Sequence, residues 1–196
     1  MPTADHGERR RRIAKVTVDV IAREGLEAAT IRRIAEELNG PTKLVTYYFA
    51  DKDELLLWAY QSLGEQHERK VAEVVAHDPN DILGILFAMS PIDEMTTKSW
   101  RVYLAFWDWA ARAALVADLQ RTQINLAVQR ISAAVRARSP EREDFESISE
   151  RLNGVVQGLA IQALMDRERW PPERIRARLA EEVAVVLGAA TPVSHP

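Results

Sequence analysis

The chain has 196 residues, 47% of them hydrophobic and 28% charged, a balance typical of a globular protein that buries a core. It contains no cysteine, which excludes disulfides, thiolate nucleophiles and cysteine-ligated metals and predicts the reducing cytoplasm as its compartment. The net charge of −3 excludes a chain that is basic throughout, and the sequence offers no run of about 18 uncharged apolar residues, so we expect no membrane partner.

Positive charge is concentrated at the N-terminal end. Residues 1–52 hold ten Lys and Arg against eight Asp and Glu, whereas the rest of the chain holds sixteen against twenty-one. Five of the ten basic residues fall between Arg9 and Lys15. A basic head on an acidic body suits an anionic partner at one end of the protein. The alternative is a solvated helix start.

Apolar residues recur at helical spacing along nearly the whole chain, and prolines and glycines interrupt it at intervals of one helix. The pattern predicts an all-α protein of about nine helices. Thr30 is a favourable N-cap for the second helix, and Asp51 and Glu54 have the spacing of a capping box before the fourth. The predicted helices comprise residues 8–24, 30–38, 41–48, 51–77, 80–89, 93–114, 115–138, 143–168 and 173–188.

The second and third predicted helices are joined by about three residues, 39–41, which is the arrangement of a helix-turn-helix. Gly40 is the predicted permissive cap in this turn. A two-turn helix is not stable alone in water. We therefore expect Leu44 or Val45, together with Phe49, to anchor the third helix on the first two, so that its polar face is free to enter the DNA major groove.

The residue types of the third helix suit contact with DNA. Lysine donates to guanine O6 and N7, threonine bonds bases or touches a thymine methyl, and tyrosine hydroxyls bond phosphates. Arg32 and Arg33 occupy the first turn of the second helix, which predicts a phosphate there; the alternative is i,i+4 pairing with Glu36 and Glu37. The predicted DNA-binding residues are Thr30, Arg32, Arg33, Thr42, Lys43, Thr46, Tyr47, Tyr48 and Lys52.

Two segments resemble the DNA-binding region of the TetR family of bacterial repressors: Thr30-Ile-Arg-Arg-Ile-Ala-Glu-Glu-Leu and Leu44-Val-Thr-Tyr-Tyr-Phe-Ala-Asp-Lys-Asp-Glu-Leu. The resemblance covers about residues 8–60, although Leu-Asn-Gly-Pro replaces the usual Ala-Gly-Val-Ser of the turn and Lys43 stands where glycine is common. It implies a homodimer that binds a palindromic operator and takes a small-molecule inducer. The expected domains are a DNA-binding domain at 1–50, a ligand-binding and dimerisation domain at 51–190, and a loose tail at 191–196.

The C-terminal half resembles the BetI-type subgroup, whose namesake responds to choline, in Ser99-Trp-Arg-Val-Tyr-Leu-Ala-Phe-Trp and Val155-Val-Gln-Gly-Leu-Ala-Ile-Gln-Ala-Leu-Met. The resemblance implies an inducer pocket among helices four to eight, and the sixth helix supplies aromatic rings that could hold a quaternary ammonium by cation–π attraction. The alternative is a plain core stripe. The predicted ligand-binding residues are Phe87, Trp100, Tyr103, Trp107, Asn125 and Gln157.

The eighth and ninth helices are the predicted dimer interface. Gly154 and Gly158 leave a smooth strip that another helix could approach, and two helices per protomer would form a four-helix bundle across a twofold axis. The alternative is packing within one chain. The predicted interface residues are Leu152, Val155, Gly158, Leu159, Leu179, Val183 and Val186.

A helical-bundle enzyme, or a protein-interaction module without DNA binding, is the competing interpretation. Asp93 with Glu94, or Asp108 between two tryptophans, could act as general acids. The histidines, however, lack metal-ligand spacing, and the sequence has neither a glycine-rich phosphate loop nor a nucleophile elbow. We therefore predict a sequence-specific transcriptional regulator with no catalytic residue, no metal and no cofactor.

Overall fold

The computed structural model describes residues 3–188, without the side chains of residues 3–5 and 66. These residues form nine α-helices and no strand, which confirms the all-α prediction. The predicted tail, residues 191–196, lies outside the described residues. The helices are α1 (Thr3–Glu24), α2 (Ile31–Glu37), α3 (Thr42–Thr46), α4 (Lys52–His77), α5 (Ile82–Ala88), α6 (Glu94–Ala110), α7 (Ala114–Arg138), α8 (Phe145–Met165) and α9 (Pro172–Gly188).

Two helix starts are capped as the sequence predicts. The Thr30 hydroxyl accepts the Arg33 N–H at 3.1 Å before α2. The Asp51 carboxylate accepts the Glu54 N–H at 2.8 Å before α4. Such caps satisfy backbone donors that the helix itself leaves open.

Helix α1 is longer than predicted, and α6 is shorter. α1 begins at Thr3 rather than at residue 8, since nothing between residues 3 and 8 forces a break and Pro2, directly before it, favours a helix start. α6 ends at Ala110 rather than at residue 114, since beyond it the Arg112 N–H bonds the Trp109 carbonyl three residues back, which is the spacing of a turn. The basic run near the N-terminus is therefore helical throughout.

The chain divides into two compact units, and each unit contains two separate stretches of sequence. The functional domain boundary expected between residues 50 and 51 stays a prediction. The first unit holds the chain through Arg69 together with Glu94–Gln123, so it contains α1, α2, α3 and α6. One apolar cluster forms its core. The cluster's most buried large members are Ile34, Val45, Phe49, Leu55, Tyr60, Val102 and Phe106.

The second unit holds Lys70–Asp93 and the chain from Ile124 onward. In it α9 packs against α5 and α8. Its core is apolar, and the residues with exposed fractions of 1% or less include Ile82, Ile85, Leu86, Leu152, Val156, Ile175 and Leu179. The Arg167 guanidinium bonds the Pro91 carbonyl at 3.1 Å, which ties the segment after α8 to the loop after α5.

Candidate nucleic-acid interface and aromatic face

The turn between α2 and α3 is formed by Leu38, Asn39 and Gly40. Asn39 has a φ of 54°, in the left-handed region that asparagine tolerates better than most residues. The Asn39 N–H bonds the Glu36 carbonyl and the Gly40 N–H bonds the Ala35 carbonyl, each at 3.0 Å, which is the Schellman pattern of helix ends. Asn39 is therefore the left-handed residue of the turn, and the prediction that Gly40 caps α3 is wrong by one position, because its N-cap is Pro41.

Helix α3 is held on the core as the sequence predicts. It begins at Thr42, one residue later than expected, with Pro41 in an extended conformation as its N-cap. Val45 and Phe49 have exposed fractions of 0% and 1%, whereas Leu44 is only half-buried. Helix α3 is too short to be stable alone, and burial of these apolar side chains fixes its position.

The opposite side of α3 faces solvent. Thr42, Lys43 and Thr46 are exposed, and the Tyr47 side chain is 70% exposed. Tyr48 differs, because its ring packs against the apolar cluster of the first unit. The predicted base-reading residues are thus exposed at the surface. Because the Tyr48 ring is packed, only its hydroxyl could contact a phosphate.

His6 is a neighbour of this surface that the sequence analysis did not select. Its ring centroid lies 4.7 Å from that of Tyr48 and 6.0 Å from that of Tyr47, and the two tyrosine rings meet edge to face at 4.9 Å. His6 lies in the part of α1 that precedes the predicted helix start. No local pattern links residues 6 and 48, so only the fold brings them together.

Arg33 is held by two carboxylates. Its guanidinium bonds Glu24 at 2.8 and 2.9 Å and Glu37 at 2.7 Å. The hydrogen bonds from Arg33, followed by those from Arg23, lower the pKa of Glu24 from its ordinary value near 4.5 to about 2. The predicted alternative, pairing of Arg33 with Glu37, is therefore present, and contact with a phosphate would have to replace it.

The other two cations predicted beside α3 also have partners. Arg32 bonds Glu36 at 2.9 Å, although its side chain is 84% exposed and the pair costs little to exchange. Lys52 donates to the Glu27 carbonyl at 3.3 Å and lies 3.7 Å from the Glu27 carboxylate. Their contact with phosphates stays a prediction.

Arg10 joins α1 to the corner between α3 and α4. Its guanidinium bonds Glu54 at 2.5 Å and lies 4.9 Å from the ring centroid of Phe49 and 4.5 Å from that of Trp58. Charge and cation–π attraction act together here, in a site that is partly withdrawn from solvent. The basic run of the sequence therefore contains one structural arginine among residues whose charges face outward.

Three aromatic residues of α6 lie close together. The ring centroid of Trp100 lies 5.9 Å from that of Tyr103 and 6.2 Å from that of Trp107, both edge to face. Phe106 is fully buried in the apolar cluster of the first unit, and both Tyr103 and Trp109 pack against that cluster. We define Trp100, Tyr103 and Trp107 as the aromatic face of α6, a helix that also contributes to the core that holds α3.

Polar groups accompany the aromatic face. The Tyr103 hydroxyl lies 3.2 Å from Nδ1 of His67, and the Tyr60 hydroxyl donates to the Gln120 side-chain oxygen. Burial raises the pKa of both tyrosine hydroxyls, so both stay neutral. The Trp107 Nε1–H is buried and has no hydrogen-bond acceptor among the described residues. A buried donor without an acceptor costs free energy that a ligand oxygen would recover.

The other predicted ligand residues belong to the second unit. Phe87 is half-buried, with the Arg176 guanidinium 5.0 Å from its ring centroid. Asn125 is exposed and Gln157 is half-buried. Their role in binding a ligand stays a prediction.

The predicted dimer residues of α8 and α9 divide into two groups. Leu152 and Leu179 have an exposed fraction of 0% and Val186 one of 6% within a single protomer. These three side chains belong to the core of the second unit and have almost no surface left for a partner, so their place in a dimer interface stays a prediction. Periodicity identified them as buried but did not tell burial within the chain from burial between chains.

The second group is accessible. Val155, Leu159 and Val183 are half-buried, and Gly158 is exposed. A Cβ atom at Gly154 or Gly158 would meet no atom within 4 Å, so the strip is open in the protomer. Met165 and Val185, which the sequence analysis did not select, are 74% and 51% exposed on the same two helices.

The carboxylates considered as general acids have structural partners. Asp108 forms two bonds with Arg112, at 2.8 and 2.6 Å, and Asp93 pairs with Lys70. Within residues 3–188, no three His, Asp or Glu side chains are grouped as metal ligands would be. Among the same residues, no helix is long and apolar enough to cross a bilayer.

Known sequences resemble the chain over nearly its whole length. A family profile described as bacterial regulatory proteins, tetR family, matches residues 13–58, and one described as BetI-type transcriptional repressor, C-terminal, matches residues 81–188. The HTH-type transcriptional regulator PksA of Bacillus subtilis is 29% identical over 184 residues, which cover 91% of this chain and 90% of that protein.

Solved structures agree with the sequence matches. A transcriptional regulator from Rhodococcus sp. Rha1 superposes with a TM-score of 0.82 at 26% identity, covering 93% of this chain and 99% of that one. A putative transcriptional regulator from Saccharomonospora viridis, in complex with choline, has a TM-score of 0.79 at 24% identity, covering 90% and 96%. The second likeness concerns the fold alone.

Proposed function

Because the chain belongs to the TetR family of bacterial transcriptional regulators, with a BetI-type C-terminal domain, we propose that it acts as a homodimeric repressor that a small-molecule inducer releases from a palindromic operator. Family membership makes it a DNA-binding transcriptional regulator and not an enzyme. Since its partner is DNA, its place of action is the cytoplasm.

The observation that carries the proposal is the braced helix α3. Its buried side is fixed by Val45 and Phe49, while Thr42, Lys43 and Thr46 stay free in solvent. A recognition helix needs this division, because base edges are read only by side chains whose backbone is held in register. Lys43 donates to guanine, and the threonine hydroxyls serve bases or phosphates.

Homodimer formation is supported by the open strip of α8. Gly154 and Gly158 are exposed, and Met165 and Val185 add apolar surface on α8 and α9. Two copies of this surface would form an isologous interface, in which the same residues face each other across the axis. To read two half-sites one turn of DNA apart, the two copies of α3 in a dimer must lie about 34–36 Å from each other.

The inducer site proposed here includes the aromatic face. The three rings of Trp100, Tyr103 and Trp107 offer apolar surface and negative ring faces, and the buried Trp107 N–H offers a donor. The Saccharomonospora viridis regulator is in complex with choline. Quaternary ammonium compounds that carry an oxygen acceptor are therefore the first class to test.

We expect ligand binding to release the protein from DNA through α6. The same helix carries the aromatic face and, through Val102 and Phe106, packs into the core that holds α3. A ligand that displaces α6 therefore changes the support of the recognition helix. Affinity for the operator falls only by the ratio of the ligand's affinities for the two forms.

The test is a gel-shift titration with two duplexes of equal length. One covers the DNA upstream of the chain's own coding sequence, and the other has a random sequence. We expect tighter binding to the first duplex, and light scattering that gives a dimer. Equal affinity for the two duplexes would reject sequence-specific binding to this region.

Choline and betaine aldehyde are then added to the bound complex, and tryptophan fluorescence is followed in parallel. Release of the duplex together with quenching supports the aromatic site. If neither release nor quenching is observed, quaternary ammonium compounds are rejected as inducers, while the evidence for DNA binding is unaffected.

A further inference from the structure

We propose that the N-terminal half of α1 is a second DNA-binding surface, which lies beside α3 and grips the phosphate backbone without reading sequence. The inference rests on DNA binding by the first unit. It adds residues that neither the sequence analysis nor the family resemblance assigned to DNA. Its partner is the sugar-phosphate backbone of the duplex that α3 reads.

A groove runs between α1 and the turn before α3. It encloses about 600 Å³, and its floor contains Ile13, Leu38 and Leu44. Its walls are charged, with four cations and one carboxylate. The residues that line this α1 groove are Glu8, Arg9, Arg11, Arg12, Ile13, Lys15, Leu38 and Leu44.

The cations of the α1 groove differ from those of α2 and α4 in their partners. Arg11, Arg12 and Lys15 are exposed and form no ion pair or hydrogen bond within the described residues. Arg33 and Lys52, by contrast, are engaged with carboxylates. A phosphate that meets Arg12 or Lys15 therefore displaces only water and counterions, whereas one that meets Arg33 must also break protein contacts.

The groove borders one flank of α3. Leu44 lines the groove, and Tyr48, one helical turn further on, carries the His6 ring 4.7 Å from its own. The exposed Tyr47 also lies near His6, at 6.0 Å between ring centroids. The N-terminal half of α1 thus borders the flank of α3 next to its exposed face, where the backbone of a bound duplex continues.

The chemistry of the groove fits a polyanion of regular spacing. Its cations come from successive turns of one helix, and guanidinium groups bond phosphate oxygens in pairs. Hydrogen bonds to phosphates carry no sequence information, so this surface contributes equally to operator and random DNA. Its contribution appears as the salt dependence of binding, since each phosphate neutralised releases counterions.

The test compares R12Q/K15Q with the wild type on a random-sequence duplex over a series of salt concentrations. Loss of two phosphate contacts in each bound head should make the slope of log Kobs against log[salt] shallower by about two per head. The charge-retaining variant R12K/K15R should keep the wild-type slope. The matched control is R69Q/R101Q, which removes the same charge from exposed arginines that have no partner among the described residues of α4 and α6.

Each outcome decides the proposal. A shallower slope for R12Q/K15Q alone supports it. Equal slopes for R12Q/K15Q and R69Q/R101Q would overturn it, because the effect would then come from net charge. If R12Q/K15Q melts at a lower temperature, R11Q carries the test, with a loss of about one unit of slope per head. A wild-type protein that binds neither duplex at any salt concentration would overturn DNA binding itself.

Discussion

Lys98 of α6 donates to Asp19 of α1 at 2.7 Å between Nζ and Oδ1, across 79 positions of sequence. The pair joins α6, which carries the aromatic face, to α1, which lines the α1 groove. The Lys98 and Asp19 side chains are 37% and 32% exposed, so water still screens the attraction.

The first prediction concerns the strength of this pair. A double-mutant cycle with K98A and D19A should give a coupling free energy of about 0.2–1 kcal/mol, the range of partly exposed ion pairs. Chemical denaturation at low and high salt measures it, and the coupling should fall as salt is added. A coupling that does not change with salt would show that packing, and not charge, joins the two side chains.

The second prediction concerns the recognition residue. K43A should weaken binding to the upstream duplex by about 1–3 kcal/mol while changing binding to the random duplex far less, because a lysine bonded to guanine discriminates between bases. Gel-shift titrations on both duplexes measure the difference. R101A, which removes an exposed charge from α6, is the control. Equal losses on both duplexes for K43A would assign Lys43 to the phosphates.

The third prediction concerns the left-handed residue of the turn. N39A should destabilise the fold by about 1 kcal/mol, because alanine pays the steric cost of a positive φ that asparagine tolerates. N39G should cost less than N39A, since glycine adopts this conformation freely. Urea denaturation ranks the two variants. Stability that is higher for N39A than for N39G would mean that the turn does not keep its left-handed residue.

The fourth prediction concerns stability at acid pH. Arg33 and Arg23 lower the pKa of Glu24 to about 2, from an ordinary value near 4.5. The stabilisation is therefore fully present above pH 4.5 and is lost as the pH falls through 2. Wild-type protein should lose more stability than E24Q between these values, as followed by urea denaturation. E8Q removes an exposed carboxylate that has no partner among the residues that the structure describes, so it should follow the wild-type curve; parallel curves for wild type and E24Q would contradict the prediction.

The fifth prediction separates the core of the second unit from its open strip. L152A should destabilise the protomer by about 2–5 kcal/mol, because it empties a fully buried site. G158R places a large cation where the protomer has open space, so it should keep the helical content and abolish the dimer. Light scattering and circular dichroism distinguish the two effects. A76R, on the exposed surface of α4, is the control, and a G158R protein that stays dimeric would place the interface elsewhere.

Local signals predicted the helices well because caps and periodicity act over a few residues. The Thr30 cap and the Asp51 cap form as expected, with N–H to oxygen distances of 3.1 and 2.8 Å. Contacts across the turn were beyond such signals. Arg33 offered Glu37 as a partner four residues on, but it also binds Glu24, nine residues before it, which only the packing of α1 on α2 brings near.

The same limit applies to the neighbours of buried and charged residues. The apolar spacing of Leu152 and Leu179 indicated burial, yet the pattern is identical whether the covering helix belongs to the same chain or to another. Arg10 lay within a basic run, and nothing in the run showed that its guanidinium would reach Phe49 and Glu54. Burial is predicted by periodicity, whereas the identity of the neighbour depends on the tertiary fold.

The place of α6 in the first unit bears on how regulators of this kind exchange their modules. Val102 and Phe106 are fully buried in the cluster that also contains Leu55 and Val45. A chimera joined after residue 50 would pack the transplanted DNA-binding helices on the core of another protein. The positions that these side chains fill in the present core would then be empty or wrongly filled. A chimera that transfers residues 94–123 together with the first 69 residues would keep the whole core of the first unit.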